Sequence, residues 1–229
     1  MIYIGIDDTD NLESRGTGWL ARAIAQDLSR DYAVAGVTRH QLLVDPRILY
    51  TSHNSSAAIS IEGGEAVDED ALFERVKTLL LASIAYGSDP GLCMTSGGTA
   101  QNFIEFGQRA QREVLIQAEA RGLAEIHGAL LAGLGGSHDG MIGAVAAVGL
   151  AACGEDGRYL SVGHSRDLAG LQEISTIKGT GISTVVTLDG QPVDKGLVMA
   201  DKLRPARRNG RPVLYVGWQA DHWQPLKLD

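Results

Sequence analysis

The sequence IYIGIDDTDN at residues 2–11 joins a strand to an acidic turn. Its first five residues are apolar or small, and this pattern predicts a buried β-strand. Asp7, Asp8 and Asp10 follow directly, and like charges at such short separation repel each other. Because folding alone gives no reason to gather them, we expect a positive partner among them.

Outward from this strand, the patterns alternate between helix and strand up to residue 97. Leu20, Ala23, Ile24 and Leu28 have helical spacing. The stretches at 33–44, 55–62 and 92–96 are strand-like, and a second helix is predicted from Asp68 to near Gly87. The resulting order β-α-β-β-α-β predicts a ferredoxin-like α+β region over residues 1–97.

Residues 98–229 form the second predicted region. Helical patterns cover 100–134 and 140–154, and strand patterns cover 158–162, 183–190 and 212–219. No proline-rich linker separates the two parts. We therefore predict an α+β fold in which the N-terminal half packs on a second α+β half, with the boundary near residue 97.

Composition restricts the class of protein. The chain has 229 residues, 44% of them hydrophobic, and a formal net charge of -8, which argues against broad attraction to nucleic acid. A local basic patch at Arg204, Arg207, Arg208 and Arg211 stays open, with a solvated loop as the simpler interpretation. With no apolar run near 20 residues, no basic leader and two cysteines outside any CxxC pair, we expect a cytoplasmic protein without a membrane segment.

The acidic turn is typical of a divalent cation site. Mg²⁺ takes one or two carboxylates and completes its shell with water and phosphate oxygens. If the strand continues, Asp7 and Asp8 point to opposite sides while Asp10 returns in the turn, so that two of the three could share the ion. The alternative is that Asp10 or Asn11 only caps a turn or a helix.

Thr17 lies between Gly16 and Gly18 at the start of the first helix, where free amides and the helix dipole favour a phosphate. A helix cap is the alternative for Thr17. Stretches 95–102, 135–143 and 177–184 have related features without a Walker A or GxGxxG pattern. Their candidate nucleotide-binding residues are Ser96, Gly97, Gly98, Thr99, Gly135, Gly136 and Lys178, with Arg166 as a further cation.

His138 is the best candidate for a general base among six histidines, although an inert loop histidine is the alternative. Cys93 has no identifiable catalytic partner, and we interpret it as a core residue.

With these residues in view, the chain resembles the archaeal tRNA-Ile agmatinylcytidine synthetases. IGIDDTDNLESRGTGWLA resembles the family's IGIDDTDS…GMCTTYLA, and GMIGAVAAVGL resembles its GLIGALAAIG. VDPRILYTSHNSSAAISIE and RPVLYVGWQ resemble NPNIPWKTRGNGAVALE and DPVLYGIRG. Gly18 replaces the family's second threonine, and Thr51 and His53 replace the Lys and Arg of KTRGN.

The resemblance implies a kinase-like module beside a ferredoxin-like domain. It implies that this N-terminal region splits ATP and phosphorylates the carbonyl group of a cytidine, and that an amine then attacks the activated cytidine. It implies that Asp7, Asp8 and Asp10 serve Mg²⁺ and phosphates and that Thr17 lies at the phosphoryl-transfer site. The family continues into an OB fold and a zinc ribbon where this sequence ends. From that and the net charge we expect no direct tRNA binding.

Three functions follow as hypotheses. The first is a Mg-ATP-dependent phosphotransferase or synthetase that activates a small-molecule acceptor. The second is a tRNA-modifying subunit that acts with a separate RNA-binding partner, and the third is a non-catalytic nucleotide sensor. The sequence leaves the acceptor and the oligomeric state open, a homodimer included.

Overall fold

The computed structural model describes residues 1–63 and 67–228. It begins with strand β1 (Ile2–Asp7), whose alternate residues face opposite sides of a sheet. Ile2, Ile4 and Ile6 belong to one hydrophobic core, and Tyr3 belongs to a second. The first strand therefore lies between two layers of helices.

The predicted β-α-β-β-α-β order is observed. After β1 come α1 (Thr17–Leu28), β2 (Val34–Gln41), β3 (Ser55–Ile61), α2 (Glu69–Leu81) and β4 (Gly91–Ser96). The four strands have the spatial order β4-β1-β3-β2, and their pairs are antiparallel. Asp68 caps α2 by accepting a hydrogen bond from the amide of Ala71 at 3.0 Å, and this helix ends at Leu81 rather than near Gly87.

Helices α1 and α2 cover the face of this sheet that carries Ile4 and Ile6. The next elements cover the opposite face: α3 (Gly97–Ala100), a 3₁₀ turn (Gln101–Phe103), α4 (Ile104–Ala110), α5 (Gln117–His127) and α6 (Gly140–Cys153). Residues 130–133, predicted as helix, instead form strand β5 (Leu130–Gly133) beside β4. That prediction was wrong because a short apolar run fits either structure, and the free edge of β4 decides between them.

The glycine of β1 explains how α6 packs so near the sheet. A Cβ atom on Gly5 would collide with the carbonyl oxygen of Ala144 in α6. The predicted small-residue helix at 140–154 is therefore confirmed as α6, and its backbone crosses β1 in direct contact.

The remaining chain extends the sheet. Its elements are β6 (Arg158–Ser161), β7 (Leu171–Glu173), α7 (Ile174–Gly179), β8 (Thr184–Thr187), β9 (Leu197–Met199), β10 (Ala206–Arg208), β11 (Arg211–Gln219) and β12 (His222–Pro225). Strand β6 pairs with β2, which joins this part to the first sheet. A third core lies here, around Ile177, Val198 and Leu214.

The class is thus α+β, as predicted, and the described strands form one twelve-stranded sheet. The helices after residue 97 pack on the sheet that the strands before it form. The division of the chain at residue 97 stays a prediction. Cys93 is fully buried, which confirms its interpretation as a core residue, and burial raises its pKa to about 12. None of the described helices has the length and apolar character needed to cross a membrane.

Candidate functional site

A cavity of about 1060 Å³ lies at the C-terminal end of the central strand β1. The N-termini of α1 and α6 and the loop between β2 and β3 form its walls. Arg47 is the one permanent cation among the described residues that line it, and it holds both oxygens of Asp45 at 2.8 Å. Six carboxylates line the same space, which we call the acidic cavity: Asp7, Asp8, Asp10, Asp89, Glu113 and Asp139.

Asp7 is the last residue of β1 and lies on the sheet face that α6 covers. A Cβ atom on Gly143 of α6 would collide with the Asp7 carboxylate, so this position needs a glycine. Burial of the carboxyl group, with a smaller contribution from the charge of Asp8, raises the pKa of Asp7 to about 8. Asp7 is therefore held where its negative charge is poorly compensated.

Asp8 has a φ of 49°, in the left-handed region that aspartate tolerates better than most residues. The strand therefore ends at Asp7, so the condition under which Asp7 and Asp8 would point to opposite sides of a strand is not met. Burial, followed by the charge of Asp89, raises the pKa of Asp8 to about 6. The tight turn thus brings Asp8 toward carboxylates from a distant part of the sequence.

Asp10 binds the start of α1. Its Oδ1 atom accepts hydrogen bonds from the amide of Thr17 at 3.1 Å and from the hydroxyl of Thr17 at 2.8 Å. Its Oδ2 atom accepts one from the hydroxyl of Thr51 at 3.0 Å. The buried Thr17 hydroxyl also accepts from the amide and hydroxyl of Thr9 at 3.2 and 3.1 Å. Asp10 and Thr17 thus act together as a capping network, while both still line the cavity.

This network narrows the choice of metal ligands. No three Asp, Glu, His or Cys side chains of the described residues converge closely enough to hold one metal ion. Mg²⁺ needs only one or two carboxylates when phosphate and water complete its shell, so the donor set at Asp7 and Asp8 suits it. Asp10 is engaged by Thr17 and Thr51, and of the three predicted ligands it is the least available.

The glycine-rich loop at 135–139 already binds an anion of this chain. The carboxylate of Asp89 accepts hydrogen bonds from the amides of Ser137, His138 and Asp139 at 3.1, 2.7 and 3.0 Å, and from the Ser137 hydroxyl at 2.6 Å. The predicted phosphate cradle at Gly135 and Gly136 is therefore occupied by a carboxylate. Sequence reasoning missed Asp89 because its partners lie 48 to 50 residues later in the chain.

His138 lies beside the acidic cavity rather than in it. Its φ is 74°, and its ring packs over Gly133, with Nδ1 at 3.4 Å from a guanidinium nitrogen of Arg121. The cavity is instead lined by its neighbours Ser137 and Asp139. The backbone amide of His138 thus binds the Asp89 carboxylate, but its imidazole, the candidate general base, is not among the groups that line the cavity.

The other predicted phosphate-binding residues are distributed over the molecule. Ser96 pairs with Ile2, and the amide of Gly97 donates to the carbonyl of Met1 at 2.7 Å, so residues 96–99 lie at the opposite end of β1. Five residues of extended strand separate the two ends by about 17 Å. Gly98 and Thr99 belong to α3, and Lys178 of α7 pairs with Asp194 at 2.7 Å within the third core region.

Gly16 and Gly18 are close to the acidic cavity. Gly16 is the N-cap of α1, and a Cβ atom built on it would lie 3.9 Å from an oxygen of Asp10, which is an ordinary contact distance. Gly18 packs against Leu160 of β6, where a Cβ atom would lie 2.6 Å from a side-chain methyl. Gly18 therefore allows α1 to pack closely on β6, whereas the contact with Asp10 does not itself require a glycine at position 16.

Three exposed apolar side chains also line the cavity, and we call them the apolar wall. The exposed side chains Leu49 and Tyr50 come from the loop between β2 and β3, and Ile116 precedes α5. Thr51 and His53 line the same loop, and Thr51 is bonded to Asp10. A ligand in this space would therefore meet both carboxylates and apolar side chains.

Comparison with known proteins identifies similar chains. The tRNA(Ile2) 2-agmatinylcytidine synthetase TiaS of Cenarchaeum symbiosum strain A is 28% identical over 153 residues, which cover 65% of this chain and 33% of that protein. The TiaS–tRNA(Ile2)–ATP complex superposes with a TM-score of 0.58 at 25% identity, covering 65% of this chain and 36% of that one. The TiaS–tRNA(Ile2)–AMPCPP–agmatine complex gives 0.56, with the same identity and coverage. No protein-family model matches the chain.

The predicted resemblance to this synthetase is thus confirmed over the N-terminal 65% of the chain. The chain spans about a third of the length of the TiaS proteins it matches. Of the two solved TiaS complexes, one contains tRNA(Ile2) and ATP, and the other contains tRNA(Ile2), AMPCPP and agmatine. The expectation that such a module does without direct tRNA contact finds no support in these comparisons.

Proposed function

We propose that the acidic cavity binds ATP together with Mg²⁺ and that the protein is an ATP-dependent synthetase that activates an RNA nucleobase. One observation carries the proposal. Among the residues that the structure describes, six carboxylates and one permanent cation, Arg47, which is already paired with Asp45, line the cavity, so a nucleoside triphosphate would be repelled unless a divalent cation accompanied it. The similarity to structures solved with ATP supports the same assignment.

Asp7 and Asp8 would hold the metal ion, which supplies charge neutralisation for phosphate oxygens when bound. Asp10 fixes Thr17 at the first turn of α1, and this contact keeps the N-terminus of α1 directed at the cavity. Asp89 holds the loop before α6 in the same way. These two carboxylates already occupy amides at the starts of α1 and α6, so in this proposal the metal ion, rather than the helix N-termini, neutralises the phosphates.

A small-molecule acceptor is the second candidate. The cavity volume of about 1060 Å³ is at the upper end of the range for ligand sites, and it offers space for a second ligand beside the nucleotide. Leu49, Tyr50 and Ile116 supply an apolar wall that suits either an inserted nucleobase or a small organic acceptor.

ATP turnover distinguishes the acceptors. Purified protein is incubated with ATP and Mg²⁺, alone, with an unmodified tRNA transcript plus an amine, or with a pool of small carbonyl and hydroxyl compounds, and ADP and AMP are measured. We expect the transcript and amine together to stimulate ATP cleavage at least about tenfold, equivalent to 1.4 kcal/mol of barrier lowering. Stimulation by the small molecules alone would support the second candidate. ATP binding without cleavage in any mixture would identify a nucleotide sensor and contradict both.

A further inference from the structure

Strand β5 lies at one end of the sheet order, and β7 lies at the other. An edge strand leaves backbone N–H and C=O groups unpaired, and natural proteins commonly protect such an edge with charged side chains or proline. Strand β7 carries the exposed Glu173. Strand β5 has no such protection, since the sequence holds no Asp, Glu, Lys, Arg or Pro between Glu125 and Asp139.

The pairing of β5 with β4 shows which backbone groups of β5 face outward. The two strands are antiparallel, and just beyond the ladder the amide of Leu134 donates to the carbonyl of Pro90 at 2.7 Å. Hydrogen-bonded positions alternate along such a strand, so Ala132 also directs its backbone groups toward β4. Leu131 and Gly133 therefore direct theirs away from β4. Among the described residues, no turn or loop hydrogen bond uses the amide of either one.

This free edge is complementary to itself. If two copies of β5 run antiparallel about a two-fold axis through Ala132, Leu131 of each copy lies opposite Gly133 of the other. These are the two residues whose backbone groups face outward, so the pairing forms about four hydrogen bonds and satisfies all of these groups. An axis through Leu131 would instead pair Gly133 with Ala129, whose amide already donates to the carbonyl of Ala124 at 2.9 Å.

The side chains of the two copies also match in this register. Leu130 of each copy lies opposite Leu134 of the other, and both leucines are partly exposed on the side of the first core. Apolar pairs directly opposite each other stabilise a sheet. Ala132 lies opposite its own copy, where a small side chain permits the close approach of a pair without hydrogen bonds. Two chains of net charge -8 can therefore meet at a strand that carries no charge.

We propose that two copies of this chain associate through β5, antiparallel about Ala132, and join their sheets into one. The unpaired backbone groups require an extended strand as the partner, and the self-complementary register without charged side chains selects a second copy. About four hydrogen bonds are fewer than the roughly ten of a typical interface, so the dimer population depends on protein concentration. The inference does not rest on the proposed function, although β5 leads into the loop whose Ser137 and Asp139 line the acidic cavity.

Sedimentation velocity of the full chain over a series of protein and salt concentrations tests the association. We expect the mass to rise from one copy to two as the protein concentration increases. Salt should strengthen the dimer, because it screens the repulsion between two chains of net charge -8 and leaves an uncharged interface unaffected. The mass of a single copy under all conditions, or a dimer that salt weakens, would overturn the proposal.

Opposite charges at the axis test the register. In Ala132→Lys, and separately in Ala132→Glu, each new charge faces its own copy, so we expect the dissociation constant of the dimer to increase at least about tenfold. An equimolar mixture of A132K and A132E pairs opposite charges and should regain the dimer. Damage to the fold would not be repaired by mixing. Dimers that persist in the single variants, or a mixture that stays monomeric, would overturn the register.

A matched control places the same charge elsewhere. Ala23 on α1 is partly exposed like Ala132, and Ala23→Lys should dimerise as the wild type does. An equal loss in this control would overturn β5 as the interface.

The small substitution Ala132→Cys gives a test that needs no added charge. Cysteines at the axis would have Cα atoms about 4.5 Å apart, within the range of a disulfide. Mild oxidation should therefore link A132C into a covalent dimer well above the level of the wild-type chain, which keeps Cys153. L171C on the opposite edge strand β7 should stay at the wild-type level. Equal cross-linking of the two variants would contradict the proposed pairing.

Discussion

At the scale of single residues, the acidic turn is explained by what each carboxylate contacts. Asp10 binds Thr17 and Thr51, whereas Asp7 and Asp8 have raised pKa values of about 8 and 6. The sequence predicted three carboxylates in need of a cation. In the structure the three carboxylates differ in role. Asp10 stabilises the start of α1, whereas Asp7 and Asp8 remain without sufficient positive charge around them.

The raised pKa of Asp7 predicts a pH dependence of stability. Between about pH 4 and pH 8 the folded state keeps a proton on Asp7 that the unfolded chain releases, so the contribution of Asp7 to the free energy of unfolding is fully present below pH 4 and is lost as pH rises to 8. We expect Asp7→Asn to remove a slope on the order of 1 kcal/mol per pH unit. Urea unfolding from pH 5 to 8 without divalent ions measures it. Parallel curves for variant and wild type would contradict the raised pKa.

At the scale of elements, the site depends on the close passage of α6 over β1. Gly5 and Gly143 allow this approach, the first beside the backbone of α6 and the second beside the Asp7 carboxylate. The position of α6 in turn fixes the loop that Asp89 holds. The small residues of α6 therefore allow both the close packing of the core and the position of the Asp7 carboxylate in the cavity.

The substitution Gly143→Ala tests this contact. The added methyl group collides with Asp7, so we expect a loss of roughly 1 to 3 kcal/mol in the free energy of unfolding. Gly122→Ala on α5 is the matched control, since nothing lies within 4 Å of its added Cβ atom, and it should stabilise the protein by about 0.5 to 1 kcal/mol. Equal effects of the two substitutions in urea unfolding would refute the close contact.

The sequence predicts those helices and strands whose hydrophobic residues repeat regularly within the element itself. The order of the first six elements follows from alternation in strands and 3.6-residue spacing in helices, as at Leu20, Ile24 and Leu28. Strand β5 was missed because its apolar residues fit a helix as well. The sequence predicts a glycine-rich phosphate-binding loop at 177–184. In the structure, residues 177–179 of this stretch are instead the last residues of the short helix α7.

The candidate site was predictable only in part. Asp7, Asp8, Asp10 and Thr17 are near in sequence and all line the cavity. Asp89 was not predictable, because its role depends on hydrogen bonds to the distant loop before α6. For the same reason the direction of the His138 side chain could not be read from its neighbours.

At the scale of the whole molecule, negative charge is concentrated at the acidic cavity, where β1 ends. The net charge of -8 is a sum over the whole chain and does not describe how charge is distributed among local surfaces. The expectation against nucleic acid came from this sum, whereas electrostatic recognition depends on local clusters.

The central claim is that the acidic cavity binds ATP only with a divalent cation, and calorimetric titration of ATP with and without Mg²⁺ tests it most directly. Asp8→Asn is the variant of choice, since asparagine also tolerates the φ of 49° at this position, and R30Q is the surface control. We predict that removing Mg²⁺, or introducing Asp8→Asn, weakens binding at least about tenfold, or 1.4 kcal/mol, while R30Q has no effect. Equal ATP affinity with and without Mg²⁺, or unchanged Mg-ATP affinity in Asp8→Asn, would contradict the claim.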